Sequence, residues 1–102
     1  MTKADIVDHI AAGTGLTKVE TEAVVDGFIQ TVIEALKEGK NIEIRGFGSF
    51  KTKKRKGRMA RNPRTGAQVK VDEHYVPLFK VSKELRTVVN DNLKRTQPPT
   101  IA

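Results

Sequence analysis

The 102-residue sequence predicts an α+β fold: helices toward both ends, with a small antiparallel sheet and a protruding β-ribbon arm between them. Three observations predict it. Apolar stripes of helical period, bounded by capping residues and glycines, lie before residue 40 and after residue 81. Between them, short segments alternate polar and apolar residues and are separated by glycine turns. Charge is also confined: residues 51–70 hold nine Lys or Arg and no acid, whereas residues 1–50 hold five Lys or Arg against eight Asp or Glu. The formal charge of +7 therefore originates in one internal block.

Thr2 is placed to cap a first helix, with Asp5 in its first turn. Ile6, Val7, Ile10 and Ala11 form its apolar stripe, and Gly13 and Gly15 end it. Thr17-Lys18-Val19-Glu20 reads as a capping box that opens a second helix. The apolar positions of that helix include Val25, Phe28, Ile29, Val32, Ile33 and Leu36, and Gly39 stops it. The first helix is too short to cover so wide a stripe. In a chain this small, a second copy is the expected cover, so the sequence predicts a dimer.

Asn41 to Arg45 alternates as a half-buried strand, and Gly46-Phe47-Gly48 supplies a turn. Ser49 to Thr52 begins the return strand, with Phe47 and Phe50 expected in the core. From Lys53 to Val71 the pattern changes. Lys53 and Arg55 occupy one alternation class, while Lys54, Lys56 and Arg58 occupy the other. A ribbon charged on both faces cannot pack on a core, so it is expected to project. Its tip is Arg61-Asn62-Pro63-Arg64-Thr65-Gly66, rich in turn formers. Gln68 to Val71 returns. Such a ribbon alone is marginal in water, so a partner is expected to order it.

Val76 to Val81 re-enters the body as a strand with Phe79 and Val81 facing inward, and Pro77 marks an edge or a bulge. Ser82 caps a final helix with Leu85, Val88, Val89 and Leu93 on its apolar side. One domain over residues 1–93 is expected: a helical part over 1–39, sheet and arm over 40–81, and a C-terminal helix over 82–93. Residues 94–102 read as a flexible tail.

An internal basic block is the footprint of a polyanion partner. Other function classes find little support. His9 and His74 lie far apart without flanking ligands and Cys is absent, so neither a metal site nor a cofactor is expected. The acids sit mostly on exposed helix faces without a nucleophile or base constellation, which argues against an enzyme and a small-molecule substrate. No apolar run approaches the ~18 residues of a membrane span, and no signal segment opens the chain; a soluble, cytosolic protein with no membrane partner is expected. Most RNA-binding modules stack bases on exposed aromatics, and the arm contains none. Double-stranded DNA is the expected partner. A narrow Arg-bearing ribbon suits the minor groove, whose edge code is degenerate, so weak sequence preference follows.

The run Gly46-Phe47-Gly48-Ser49-Phe50, followed by Arg55, Arg58 and Ala60 and closed by Arg61-Asn62-Pro63-Arg64-Thr65-Gly66, resembles the bacterial histone-like HU and integration host factor family. The resemblance covers roughly residues 1–93. It implies an intertwined homodimer whose helical bodies share one core and whose two arms reach into the minor groove. It further implies a cytoplasmic, nucleoid-associated protein that bends and compacts DNA without a cofactor. Pro63 would wedge between base steps, a mechanism for which this family is itself a type case. Arg55, Arg58 and Arg61 would lie along the groove, and the body would touch phosphates near Lys3, Gly46, Lys83 and Arg86. Lys53, Asn62, Arg64, Thr65 and Lys70 complete the expected DNA-contacting set. Most of the chain fits HU, whereas Tyr75-Val76-Pro77-Leu78-Phe79-Lys80 leans toward integration host factor; the alternative that the resemblance leaves open is a site-specific DNA-bending subunit, as a homodimer or as a heterodimer with a paralogue. Met59-Ala60 stands where many relatives carry Thr-Gly or Pro-Gly.

Overall fold

The computed structural model describes residues 1–96 and divides into two compact units, Met1–Glu38 and a second that starts at Gly39. The first unit consists of α1 (Lys3–Thr14) and α2 (Lys18–Lys37). The complete capping box forms at Thr2: the Asp5 amide donates to the Thr2 hydroxyl at 3.3 Å, and the Thr2 amide donates to the Asp5 carboxylate at 2.7 Å. At Thr17, where the box was expected, the hydroxyl accepts from the Glu20 amide at 3.1 Å. Gly13 lies inside α1, and Gly15 ends the helix in the left-handed region at φ 79°. Val7, Ala11 and Thr21 are buried, and the Thr21 hydroxyl donates to the Thr17 carbonyl at 2.8 Å. Much of the predicted stripe on α2 stays open: Phe28, Ile29 and Ile33 are 42–49% exposed.

The second unit holds two antiparallel sheets and one helix. β1 (Ile42–Ile44), β2 (Gly48–Arg55) and β5 (His74–Val81) form a three-stranded sheet in the order β1-β2-β5. β3 (Arg58–Arg61) and β4 (Gln68–Val71) form a separate two-stranded ribbon. α3 (Lys83–Thr96) follows. The β2–β5 register runs unbroken from Gly48↔Val81 to Arg55↔His74, through Thr52↔Pro77. Pro77 therefore occupies an edge strand without a bulge, the place in a sheet where a residue lacking an N–H is tolerated.

Because paired residues share a face and alternate residues oppose, the register separates two surfaces. One carries Ile42, Ile44, Phe50, Phe79 and Val81. The Phe79 ring lies 5.0 Å from Phe47 and 4.7 Å from Phe50, both in tilted contacts. Gly48 belongs to this surface because nothing larger fits; a Cβ there would collide with the Lys80 carbonyl and the Phe79 ring. Phe79 and Val81 face this apolar surface as predicted, and Phe50 is half-buried. Phe47, Phe79 and Val81 nevertheless remain 38–42% exposed.

Two boundaries differ from the sequence reading. The three-stranded sheet holds Lys53 and Arg55 in β2, so the separate ribbon begins beyond the Lys56-Gly57 break rather than at Lys53. Lys94 to Thr96 continue α3 past the expected end at 93, and the remainder of the expected tail, 97–102, lies outside the described residues.

Candidate nucleic-acid interface

The charged surface of the three-stranded sheet is set by the same register. Opposite the phenylalanines, Ser49↔Lys80, Lys51↔Leu78, Lys53↔Val76 and Arg55↔His74 share one face. Lys51 and Lys80 thus join the predicted Lys53 and Arg55. Sequence reading missed both, although alternation from Lys53 and Arg55 back to Lys51 was visible; the pairing that brings in Lys80 is not local. Lys54 projects on the other face and meets Glu73 at 2.7 Å.

In the ribbon, Arg58↔Val71 and Ala60↔Val69 share one face, and Met59↔Lys70 and Arg61↔Gln68 share the other. Arg58 and Arg61 therefore point to opposite sides, as charge on both faces of the arm requires. Lys70 stands 4.0 Å from Asp72 and is largely exposed. The tip is a hydrogen-bonded turn. The Asn62 amide donates to the Ala67 carbonyl at 2.8 Å, and the Gly66 amide donates to the Asn62 carbonyl at 2.7 Å. The Asn62 side-chain oxygen accepts from the Arg64 amide at 2.8 Å, and the Thr65 hydroxyl accepts from the Ala67 amide at 3.2 Å. Gly66 takes φ 74°, which a β-carbon would strain. Asn62 and Thr65 thus build the turn, which presents Pro63 and Arg64 at its exposed apex.

At the other end of the sheet, an open hollow of about 340 Å³ is lined by Arg45, Gly46, Ser49, Lys80 and Ser82, with Glu43 and Glu84 at its wall. Here the Ser82 amide donates to the Phe47 carbonyl at 2.9 Å, and the Ser82 hydroxyl accepts from the Leu85 amide at 3.0 Å. The turn holding Gly46 is thereby fastened to the start of α3, which carries Lys83 and Arg86. The helix N-terminus, with its free amides and positive dipole end, adds to this anion-attracting corner. Lys3 belongs to the helical unit. Its ammonium group meets Asp26 at 2.8 Å, and that hydrogen bond, with the attraction of the same carboxylate, raises its pKa above 10.5.

The profile of the bacterial DNA-binding protein family matches residues 1–90. The chain belongs to this family. The integration host factor β subunit of Marinobacter nauticus is 44% identical over 96 residues, covering 93% of this chain and 98% of that protein. The DNA-binding protein HU of Lactococcus lactis is 41% identical over 87 residues, covering 85% and 96%. Among solved structures, Anabaena HU in a DNA cocrystal superposes with a TM-score of 0.82 at 34% identity, covering 97% of this chain and all of that one. HU of Thermotoga maritima superposes at 0.63 with 28% identity, covering 87% of this chain and 98% of that one. The HU and integration host factor family consists of architectural DNA-binding proteins rather than enzymes. Among the described residues, no helix is long and apolar enough to cross a membrane.

Proposed function

We propose that this protein is a homodimer that bends and compacts double-stranded DNA with little sequence specificity, laying its two arms in the minor groove. One observation carries the reading: a narrow ribbon and its supporting sheet face hold basic side chains without carboxylate partners. Lys51, Lys53, Arg55, Arg58, Arg61 and Arg64 have none among the described residues. Cations on such a ribbon neutralise phosphates and release counterions, which supplies affinity on any sequence.

In this reading Arg55, Arg58 and Arg61 track the groove, and Lys53, Arg64 and Lys70 neutralise flanking phosphates. Pro63 enters a base step at the apex, while Asn62 and Thr65 hold the turn that presents it. Unstacking that step costs a few kcal/mol, which the bent duplex offsets by meeting more of the body. Gly46, Lys83 and Arg86 receive phosphate at the hollow beside α3, and Lys3 does so from the helical unit. The half-exposed apolar side chains Phe28, Ile33 and Phe79 supply the dimer interface. Localisation with DNA in the nucleoid follows from this activity.

Relatives carrying both the HU and the integration host factor names support a second reading, a site-specific bending subunit paired with a paralogue. Competition between a random duplex and duplexes selected for binding separates the two. The homodimer is expected to distinguish them by less than about tenfold, whereas a site-specific protein favours its site by about 10³ or more.

A further inference from the structure

Between Lys56 and Glu73 the uncharged polar side chains are Asn62, Thr65 and Gln68. The turn occupies the first two, through Arg64 and Ala67. Gln68 is exposed, and its carboxamide makes no hydrogen bond among the described residues. The register places it directly across from Arg61, on the ribbon face that also carries Met59 and Lys70. Opposite residues on one face stand about 5 Å apart at Cβ, within reach of a Gln and an Arg side chain.

We infer that Gln68, seated beside Arg61, is a specificity-determining residue that biases the arm against the guanine amino group. The inference rests on the arm entering the minor groove. There an A·T pair offers only acceptors, N3 and O2, while a G·C pair adds the N2 amino donor. The Arg61 guanidinium only donates; the Gln68 carboxamide donates through its NH₂ and accepts through Oε1. On the groove floor Arg61 satisfies Oε1, which leaves the NH₂ to face the bases. The pair then presents donors alone. These match A·T and oppose the amino group of G·C, where a desolvated donor is left unpaired. The result is a preference for base composition rather than for a particular site.

The test uses full-length protein and three duplexes of equal length, composed of A·T, inosine·C or G·C pairs, with affinity read by fluorescence anisotropy at one salt concentration. Inosine lacks the minor-groove amino group but keeps the major-groove edge of guanine. The parent is expected to bind inosine·C about three- to tenfold more tightly than G·C, the range of one net hydrogen bond. Gln68→Ala is expected to lower that ratio to the smaller share that Arg61's donors supply alone, with the slope of affinity against salt unchanged, because no charge is lost. Gln68→Glu accepts and does not donate, so it is expected to shift the ratio toward G·C. Because Gln68 is exposed, both variants are expected to keep the parent's circular dichroism. A parent with no preference, or a Gln68→Ala variant that keeps it undiminished, overturns this inference and leaves the DNA-bending reading in place. A parent that binds none of the duplexes overturns that reading as well.

Discussion

In the helical unit every lysine has a carboxylate within reach. Lys3 meets Asp26 at 2.8 Å, Lys18 meets Asp8 at 3.4 Å, and Lys37 meets Glu34 at 3.3 Å. Of the nine basic residues in 51–70, only Lys54 and Lys70 have one among the described residues, from Glu73 and Asp72. Solvent screens exposed pairs such as these, so the balance in the helices is not what holds them together. The contrast concerns destination instead. Charge that is neutralised within a unit leaves little field outside it, whereas like charges crowded on a ribbon repel one another until a polyanion arrives. The two units resemble each other in their apolar residues, since each leaves large side chains half-exposed: Phe28, Ile29 and Ile33 in one, Phe47 and Phe79 in the other.

The largest expected effect breaks that resemblance. If a second chain covers both apolar surfaces, sedimentation at micromolar concentration gives about twice the 11.3 kDa chain mass. Ile33→Lys then places a charge in a dry interface, at a cost of about 3–5 kcal/mol, and is expected to abolish both the dimer and its cooperative melting. A parent that sediments as a folded monomer contradicts the dimer.

The next prediction tests the contrast in charge directly. With two arms per dimer, log affinity is expected to fall against log salt with a slope of magnitude about 5 or more. Arg61→Ala is expected to weaken binding on all sequences and to lower the slope by about one per arm. A parent slope near one would mean that the ribbon's cations do not face DNA.

Pro63 sharpens the comparison further, because it separates bending from charge. The tip's hydrogen bonds are made by Asn62, Thr65, Gly66 and Ala67, so the turn does not depend on the Pro ring to close. Pro63→Ala therefore shortens the apex while keeping the turn and every charge. Energy transfer between the ends of a short labelled duplex is expected to report a clear loss of bending, with the salt slope hardly changed. Bending equal to the parent's would make Pro63 a turn former only.

Local chemistry made much of this fold legible. Thr2, Thr17 and Ser82 cap helices as their residue types and spacing require, and Asn62 and Gly66 close the predicted turn. What escaped was long-range. Lys80 joins Lys51, Lys53 and Arg55 only because β5 pairs with β2 in one register out of several possible. The Lys56-Gly57 break, which separates the sheet from the ribbon, coincides with a close approach to the Val71 carbonyl, 3.0 Å from a Cβ built on Gly57. Nothing near Gly57 in sequence announces that contact. Nor did spacing foretell that Lys3 would find Asp26, 23 residues away and in another helix.

That pair provides the smallest expected effect and the closest test of the contrast between units. For Lys3 to meet phosphate, its ammonium group must leave Asp26 or be shared with it. The contact would therefore exchange one anion for another, whereas Arg61 would meet phosphate without giving up a carboxylate. Lys3→Ala is accordingly expected to lower affinity and salt slope less than Arg61→Ala does. Asp26→Asn removes the competing carboxylate and is expected to strengthen binding modestly, and the double variant is expected to lose that gain. The raised pKa of Lys3 fixes the pH window: any stability the pair adds is present below 10.5 and is lost as pH rises through the higher folded value. Titration of Lys3 between pH 6 and 9 thus cannot account for a difference among these variants. If Asp26→Asn binds no more tightly than the parent over that range, the carboxylate does not restrain Lys3, and its pairing is incidental to DNA binding.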